Sequence, residues 1–157
     1  MNNFTIMKAE EKDIPSILKF IRELADFEKL SEQCIASEKD LHKYIFGENK
    51  VAHVIIGSLN ERQICMAIYF YNFSTFLAKP GLYLEDLIVL PEYRSRGYGT
   101  KMLKELAKIA RENKCGRMEW SVLKWNKKAI DIYDSMGGEP MNEWTVYRLT
   151  GKALEVF

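Results

Sequence analysis

Three features of the chain together predict an α/β (α+β) fold, a mixed central sheet with helices on both faces. Segments of strand and helix periodicity follow one another in the order β-α-α-β-β-β-α-β-α-β. Two adjacent β-branched runs in the middle are separated only by a short polar turn, the pattern of an antiparallel hairpin. The stretch from Tyr83 to Lys104 then reads as an apolar strand, a basic glycine-containing loop and an amphipathic helix.

Each element has a local reason. Phe4, Ile6 and Lys8 alternate with Thr5 and Met7, which predicts a first strand ending near Ala9. Asp13 is placed to cap a helix with Pro15 in its first turn, and Ile14, Ile17, Leu18, Ile21, Leu24 and Ala25 mark its buried face. Ser37 with Asp40 resembles a capping box for a short helix through Leu41, Tyr44 and Ile45, stopped by Gly47. The hairpin pairs Val51 to Leu59 with Gln63 to Asn72 across Asn60-Glu61-Arg62. Phe73 to Gly81, with Ser74, Lys79 and Pro80, reads as a loop, and Leu82 to Leu90 as the next strand.

The helix that follows carries Met102, Leu103, Leu106, Ala107, Ile109 and Ala110 on one side and a solvated face of Lys101, Lys104, Glu105, Lys108, Arg111 and Glu112 on the other. Arg117 to Val122 is a further strand. Asn126 is placed to cap a helix with Ala129, Ile130, Tyr133 and Met136 along one side, ended by Gly137-Gly138. Thr145 to Thr150 is expected to close the series as a final strand. No repeat, linker or low-complexity segment interrupts it, so residues 1–157 are read as one domain.

Composition narrows the function classes. The chain has 157 residues and is 47% hydrophobic, enough for one buried core. With 23 Lys and Arg against 22 Asp and Glu, its net charge of +1 provides no general field for nucleic acid or an anionic membrane, so charge recognition is expected to be local. Cys34, Cys65 and Cys115 are odd in number and lack paired spacing, so they are read as reduced, mostly buried thiols. His42 and His53 have no second ligand at helical spacing, so no metal site is expected. No apolar run reaches the ~18 residues of a membrane span, and the first residues lack a basic segment followed by an apolar one, which points to a cytoplasmic protein.

The loop carries the chemistry. Arg94-Ser95-Arg96-Gly97-Tyr98-Gly99 lies between a strand signal and a helix signal, so helix-start amides and two arginines form a phosphate cradle. No Lys-Ser/Thr pair follows Gly97, which excludes a Walker A loop, and Met102 stands where a dinucleotide fingerprint needs its third glycine.

This R-x-x-G-x-G segment, with its flanking strand and helix, resembles motif A of the GNAT family of acetyl-CoA-dependent N-acetyltransferases. The strand Met118 to Val122, and Trp125-Asn126 opening a helix with Tyr133 seven residues on, extend the likeness over nearly the whole chain. Tyr83-Leu84-Glu85-Asp86, Glu23-Leu24-Ala25 with Phe27-Glu28, and Trp125-Asn126 look like the branch of spermidine/spermine and thialysine acetyltransferases. Asn72-Phe73-Ser74-Thr75-Phe76 replaces the acidic, Pro- and Trp-containing segment of the former, so the match there is closer to the thialysine enzymes. The segment after Gly138 is shorter than in the diamine enzymes.

The resemblance implies a GNAT fold: a mostly antiparallel sheet whose central strands splay at the cofactor site. It implies acetyl-CoA as cosubstrate, with the pyrophosphate held by Arg94, Ser95, Arg96, Gly97, Tyr98, Gly99 and Thr100. The pantetheine arm would run along Leu87, Ile88 and Val89, with further cofactor contacts from Asn126, Lys128 and Tyr133. Tyr133 inherits the role of general acid. The implied acceptor is a small cationic amine, drawn by Phe27, Glu28, Glu85, Asp86, Glu119 and Glu143, and a homodimer is expected.

The chemistry asks for such groups. An alkylamine with pKa ~10.4 is neutral to about one part in a few thousand near pH 7, so a base must take its proton, and Glu85, acting through water, is the candidate. A regular strand would send Glu85 and Asp86 to opposite faces, so both line one pocket only if the strand bulges. Protein acetylation, or an acyl-CoA sensor without turnover, are the alternative readings.

Overall fold

A computed structural model describes residues 2–157. One compact unit ends at Ser121, and a second comprises Val122–Phe157.

The first unit is built on a five-stranded sheet in the order β1-β2-β3-β4-β5, with β1 Phe4–Lys8, β2 His53–Leu59, β3 Arg62–Ser74, β4 Lys79–Val89 and β5 Arg117–Trp120. The first four strands pair antiparallel and β5 joins β4 in parallel, giving the expected mixed, mostly antiparallel sheet. The β2–β3 turn is tight because Asn60 and Glu61 both adopt positive φ (48° and 69°), the backbone twist that matches two antiparallel strands. The β3–β4 hairpin is longer than the sequence suggests. Ser74 pairs with Lys79, leaving only residues 75–78 as the loop, because ladder hydrogen bonds hold residues of modest strand propensity.

Helices α1 (Ile14–Phe27) and α3 (Tyr98–Glu112) each have one apolar side. Ile17 and Phe20 of α1 join Ile45, Val54, Ile56, Met66, Ile68, Ile88 and Leu90 in one core. Strand alternation sends Ile55, Cys65, Ala67, Leu82 and Leu84 to the opposite face, and α3 buries Tyr98, Met102, Leu103, Leu106 and Ala110. Burial of each such side chain is worth ~1.5–3 kcal/mol, so the two helix faces hold the sheet between them.

The helix ends differ in part from expectation. Ser37 caps the short α2 (Glu38–Leu41) as expected, accepting from the Asp40 amide, but residues 42–46 continue as a π-helical turn. Asp13 does not cap α1 with its side chain. Its carboxylate accepts from the Glu10 amide at 2.8 Å and from Gln63 Nε2 at 2.8 Å, because the chain first makes a 3-10 turn over Glu11–Asp13. Of the three free cysteines only Cys65 is fully buried.

In the second unit, α4 (Lys127–Ser135) is capped by Asn126, whose Oδ1 accepts from the Ala129 amide at 3.4 Å. Gly137 at φ 85° ends it, with the Gly138 amide returning to the Tyr133 carbonyl at 2.9 Å. Among the described residues the strand expected over Thr145 to Thr150 does not form: this segment has no strand pairing, and Val146 and Tyr147 are 82% and 93% exposed. Alternating residues need a sheet edge to become a strand, and here no ladder forms. A short helix, α5 (Gly151–Val156), follows.

Candidate active site

The phosphate loop takes the form its residues allow. β4 ends at Val89, a 3-10 turn over Pro91–Tyr93 reverses the chain, and Ser95 and Gly97 adopt positive φ (63° and 82°) immediately before α3. Gly97 is the N-cap of α3, and a Cβ built there would meet no protein atom within 4 Å. The space beside it is open to a ligand, so glycine is required for its backbone angle. Gly99 has a second reason: a Cβ there would lie 3.9 Å from Val89, at the close approach of α3 to β4. The first-turn amides, Tyr98, Gly99 and Thr100, have no carbonyl of their own helix to bond and sit at the positive end of its dipole. Such amides can donate to an anion.

Beside the loop the sheet comes apart. β5 pairs with β4 only from Gly81 to Leu84, so from Glu85 to Val89 the neighbour of β4 in the sheet is β3 alone. Leu87, Ile88 and Val89 therefore lie on an edge with no strand partner from β5.

The splay begins where β4 bulges. Ile68 pairs with Asp86 and Tyr69 with Leu84, which leaves Glu85 as the extra residue. Glu85 is exposed and Asp86 half-buried, and the two interact electrostatically together with Glu28, the residue that closes α1. Burial, then the charges of Glu85 and Glu28, push the Asp86 carboxyl up to about 6. Burial also raises Glu28. The bulge changes the alternation that would have set Glu85 and Asp86 on opposite faces, and the end of α1 adds the charge of Glu28.

Further along the same sheet face, Phe70 and Tyr83 stack with centroids 5.1 Å apart, and the Tyr83 hydroxyl lies 2.9 Å from Ser121 Oγ. Tyr83 pairs in register with Glu119, whose carboxylate receives Arg117 Nε at 2.9 Å. Glu119 is already ion-paired. Arg94 and Arg96 also have protein partners: Arg94 Nε donates to the Val89 carbonyl and its guanidinium stacks on Phe27, while Arg96 lies over Tyr93.

The second unit carries Asn126, Lys128, Tyr133 and Glu143. Asn126 and Tyr133 are half-buried, Lys128 and Glu143 exposed. Asn126 and Tyr133 lie two turns apart along one side of the helix, and burial raises the Tyr133 phenol above its ordinary value. Among the described residues there is no group of three or more His, Cys, Asp or Glu placed to hold a metal ion, and no helix long and apolar enough to cross a membrane.

Sequence reasoning took Asp86 as a substrate contact beside Glu85; that its carboxyl is raised depends on burial and on Glu28, which are tertiary properties. It missed the Phe70–Tyr83 stack and the engagement of Glu119 by Arg117. The i, i+2 spacing of Arg117 and Glu119 on a strand was a usable signal for that pair.

Comparison with known proteins agrees with this geometry. Residues 18–137 match the sequence profile of the Acetyltransferase (GNAT) family. The chain is 37% identical to a thialysine N-epsilon-acetyltransferase of Sus scrofa, over 98% of this chain and 96% of that protein. It is 29% identical to an L-ornithine N5-acetyltransferase of Arabidopsis thaliana, over 96% of this chain and 86% of the other. Among solved structures, an integron cassette protein from the mobile metagenome of V. cholerae superposes with TM-score 0.81 at 26% identity, covering 97% of this chain and 95% of the other.

Proposed function

This chain belongs to the GNAT acetyltransferase family, and from that premise we propose that it transfers acetyl from acetyl-CoA to a primary amine of a small cationic molecule. The class of acceptor includes thialysine, ornithine and similar lysine-like amino acids, diamines and polyamines; the similarity to thialysine and ornithine enzymes favours the amino acids. The observation that carries the proposal is the cluster of Glu28, Glu85 and Asp86 at the bulge where β4 loses β5, beside the phosphate loop. Three carboxylates attract an ammonium ion to the place where the strand edge is open.

In this reading the amides at the start of α3, with Ser95 to Thr100, hold the cosubstrate's pyrophosphate, and Leu87, Ile88 and Val89 align its arm. Asn126 and Lys128 contribute further contacts to it. Acetyl-CoA supplies an activated acyl group, and direct attack within a ternary complex needs no covalent enzyme intermediate.

Asp86 is the stronger base, because a carboxyl with pKa about 6 is both ionised near neutrality and able to accept a proton. Exposed Glu85 then relays the proton to solvent, the water-mediated part of the base role expected of it. Phe27 and the Phe70–Tyr83 stack provide apolar walls for a methylene chain. Tyr133 gives its phenolic proton to the leaving thiolate; burial that raises its pKa keeps the phenol protonated until then. Glu143 and the ion-paired Glu119 take part in steering the cation. The protein acts in the cytoplasm, as one domain over residues 1–157 and as a homodimer.

Thiol release from acetyl-CoA, measured across thialysine, ornithine, lysine, putrescine, spermidine and spermine, tests the reading. Turnover of at least one of these is the expected result. Tight CoA binding with every amine silent would overturn it in favour of a sensor, and acetylated peptide without small-amine activity in favour of a protein acetyltransferase.

A further inference from the structure

Arg94 is the first residue of the R-x-x-G-x-G segment, where a cation is expected to face phosphate. Its side chain is engaged elsewhere. Nε donates to the carbonyl of Val89, the last residue of β4, at 2.9 Å, and the guanidinium lies over the ring of Phe27 with its central carbon 4.6 Å from the centroid. Phe27 is the last residue of α1, and the next residue is Glu28, whose charge acts on Asp86. One side chain therefore ties three pieces together: the end of the splayed strand, the loop that carries Arg94 itself, and the helix end that completes the acid cluster.

The Glu28 amide bonds back to Leu24 and Asp26, and the chain then turns through Lys29 at φ 59°. These local bonds close the helix but do not orient Phe27 toward β4. The planar guanidinium does, because it can stack on a ring and donate in its own plane at once, which a lysine ammonium cannot.

We propose that Arg94 is a positioning residue for the amine side of the reaction: it holds the Phe27–Glu28 end of α1 against β4, so that the acceptor pocket is assembled by the same loop that receives the cosubstrate. This rests on the amine-acetylation reading above. A group that merely neutralised phosphate would act on acetyl-CoA affinity, whereas Arg94 acts on the amine.

Steady-state kinetics of Arg94→Lys, Arg94→Gln, Phe27→Leu and the Arg94→Gln/Phe27→Leu double variant separate the possibilities, with thialysine and ornithine as acceptors. Arg94→Lys keeps a positive charge in the loop and loses the planar stack. The expected result is an amine KM raised about tenfold with acetyl-CoA KM changed by less than about twofold, and a double variant no worse than Arg94→Gln alone. A raised acetyl-CoA KM with the amine KM unchanged, or effects that multiply in the double variant, would overturn the proposal.

Hydrogen exchange of residues 24–30 provides a readout that needs no substrate. Faster exchange there in Arg94→Lys, with the rest of the chain unaltered, supports the tie; an unaltered segment refutes it. If the wild-type protein acetylates none of the amines, the functional reading fails while exchange still decides whether Arg94 orders this helix end.

Discussion

Replacing Asp86 by asparagine should make the protein gain stability relative to wild type as pH rises through about 6, and should make it much less active. The Asp86 carboxyl is raised from 3.8 to about 6, first by burial and then by Glu85 and Glu28. Because the folded protein holds this proton more tightly than the unfolded chain, the protonated group's contribution is fully present below about pH 4 and is lost as pH rises through about 6. A displacement of about two pKa units corresponds to ~3 kcal/mol carried as a penalty at neutral pH.

Asp86→Asn removes the charge, so its stability relative to wild type should grow by ~2–3 kcal/mol between about pH 4 and pH 8, whatever constant cost the amide itself brings. Urea unfolding of both proteins at several pH values measures this, the variant-minus-parent difference cancelling groups that titrate alike in both. A difference that stays flat with pH would refute the claim that β4 holds a buried charge here. Activity should move the opposite way, with kcat/KM falling ~10²-fold to 10⁴-fold, as for loss of a general base.

Other outcomes follow from the same geometry. Wild-type kcat/KM should decline as pH falls through about 6, where Asp86 takes up its proton, and a pH profile of Asp86→Asn should lack that limb. Tyr133→Phe should lower kcat with little change in acetyl-CoA affinity; equal turnover would remove Tyr133 as the acid. Gly97→Val should raise the acetyl-CoA KM, since φ 82° is costly for a β-branched residue and its side chain would enter the open space, and calorimetry with CoA would check this independently. Gly57→Ala should lower stability by ~1–3 kcal/mol, because the new methyl would press on Cys65 and lie 2.7 Å from the Phe4 ring; thermal unfolding reads it. Sedimentation at micromolar concentration should return a dimer.

Much of this protein is determined locally and was therefore legible in the sequence. A period of two makes Phe4–Lys8 a strand, an apolar stripe makes Tyr98–Glu112 an amphipathic helix, and Asn126 and Gly137 bound α4 through their own backbone chemistry. The conformation of the loop before α3 belongs to this class too, since positive φ at Gly97 and amides without helical partners at a helix start are properties of adjacent residues. Thr145 to Thr150 shows the limit: it has the alternation of a strand, but no ladder forms.

What tertiary structure alone decided is how distant residues share one space. The bulge at Glu85 depends on the register of β3 against β4, and the raised carboxyl of Asp86 depends on burial and on Glu28, which lies 58 positions earlier in the chain. The direction of Arg94, toward Phe27 and the Val89 carbonyl, depends on where α1 ends. Residue type and spacing determine which groups are available; packing determines which charges meet, and pKa and specificity arise from that meeting.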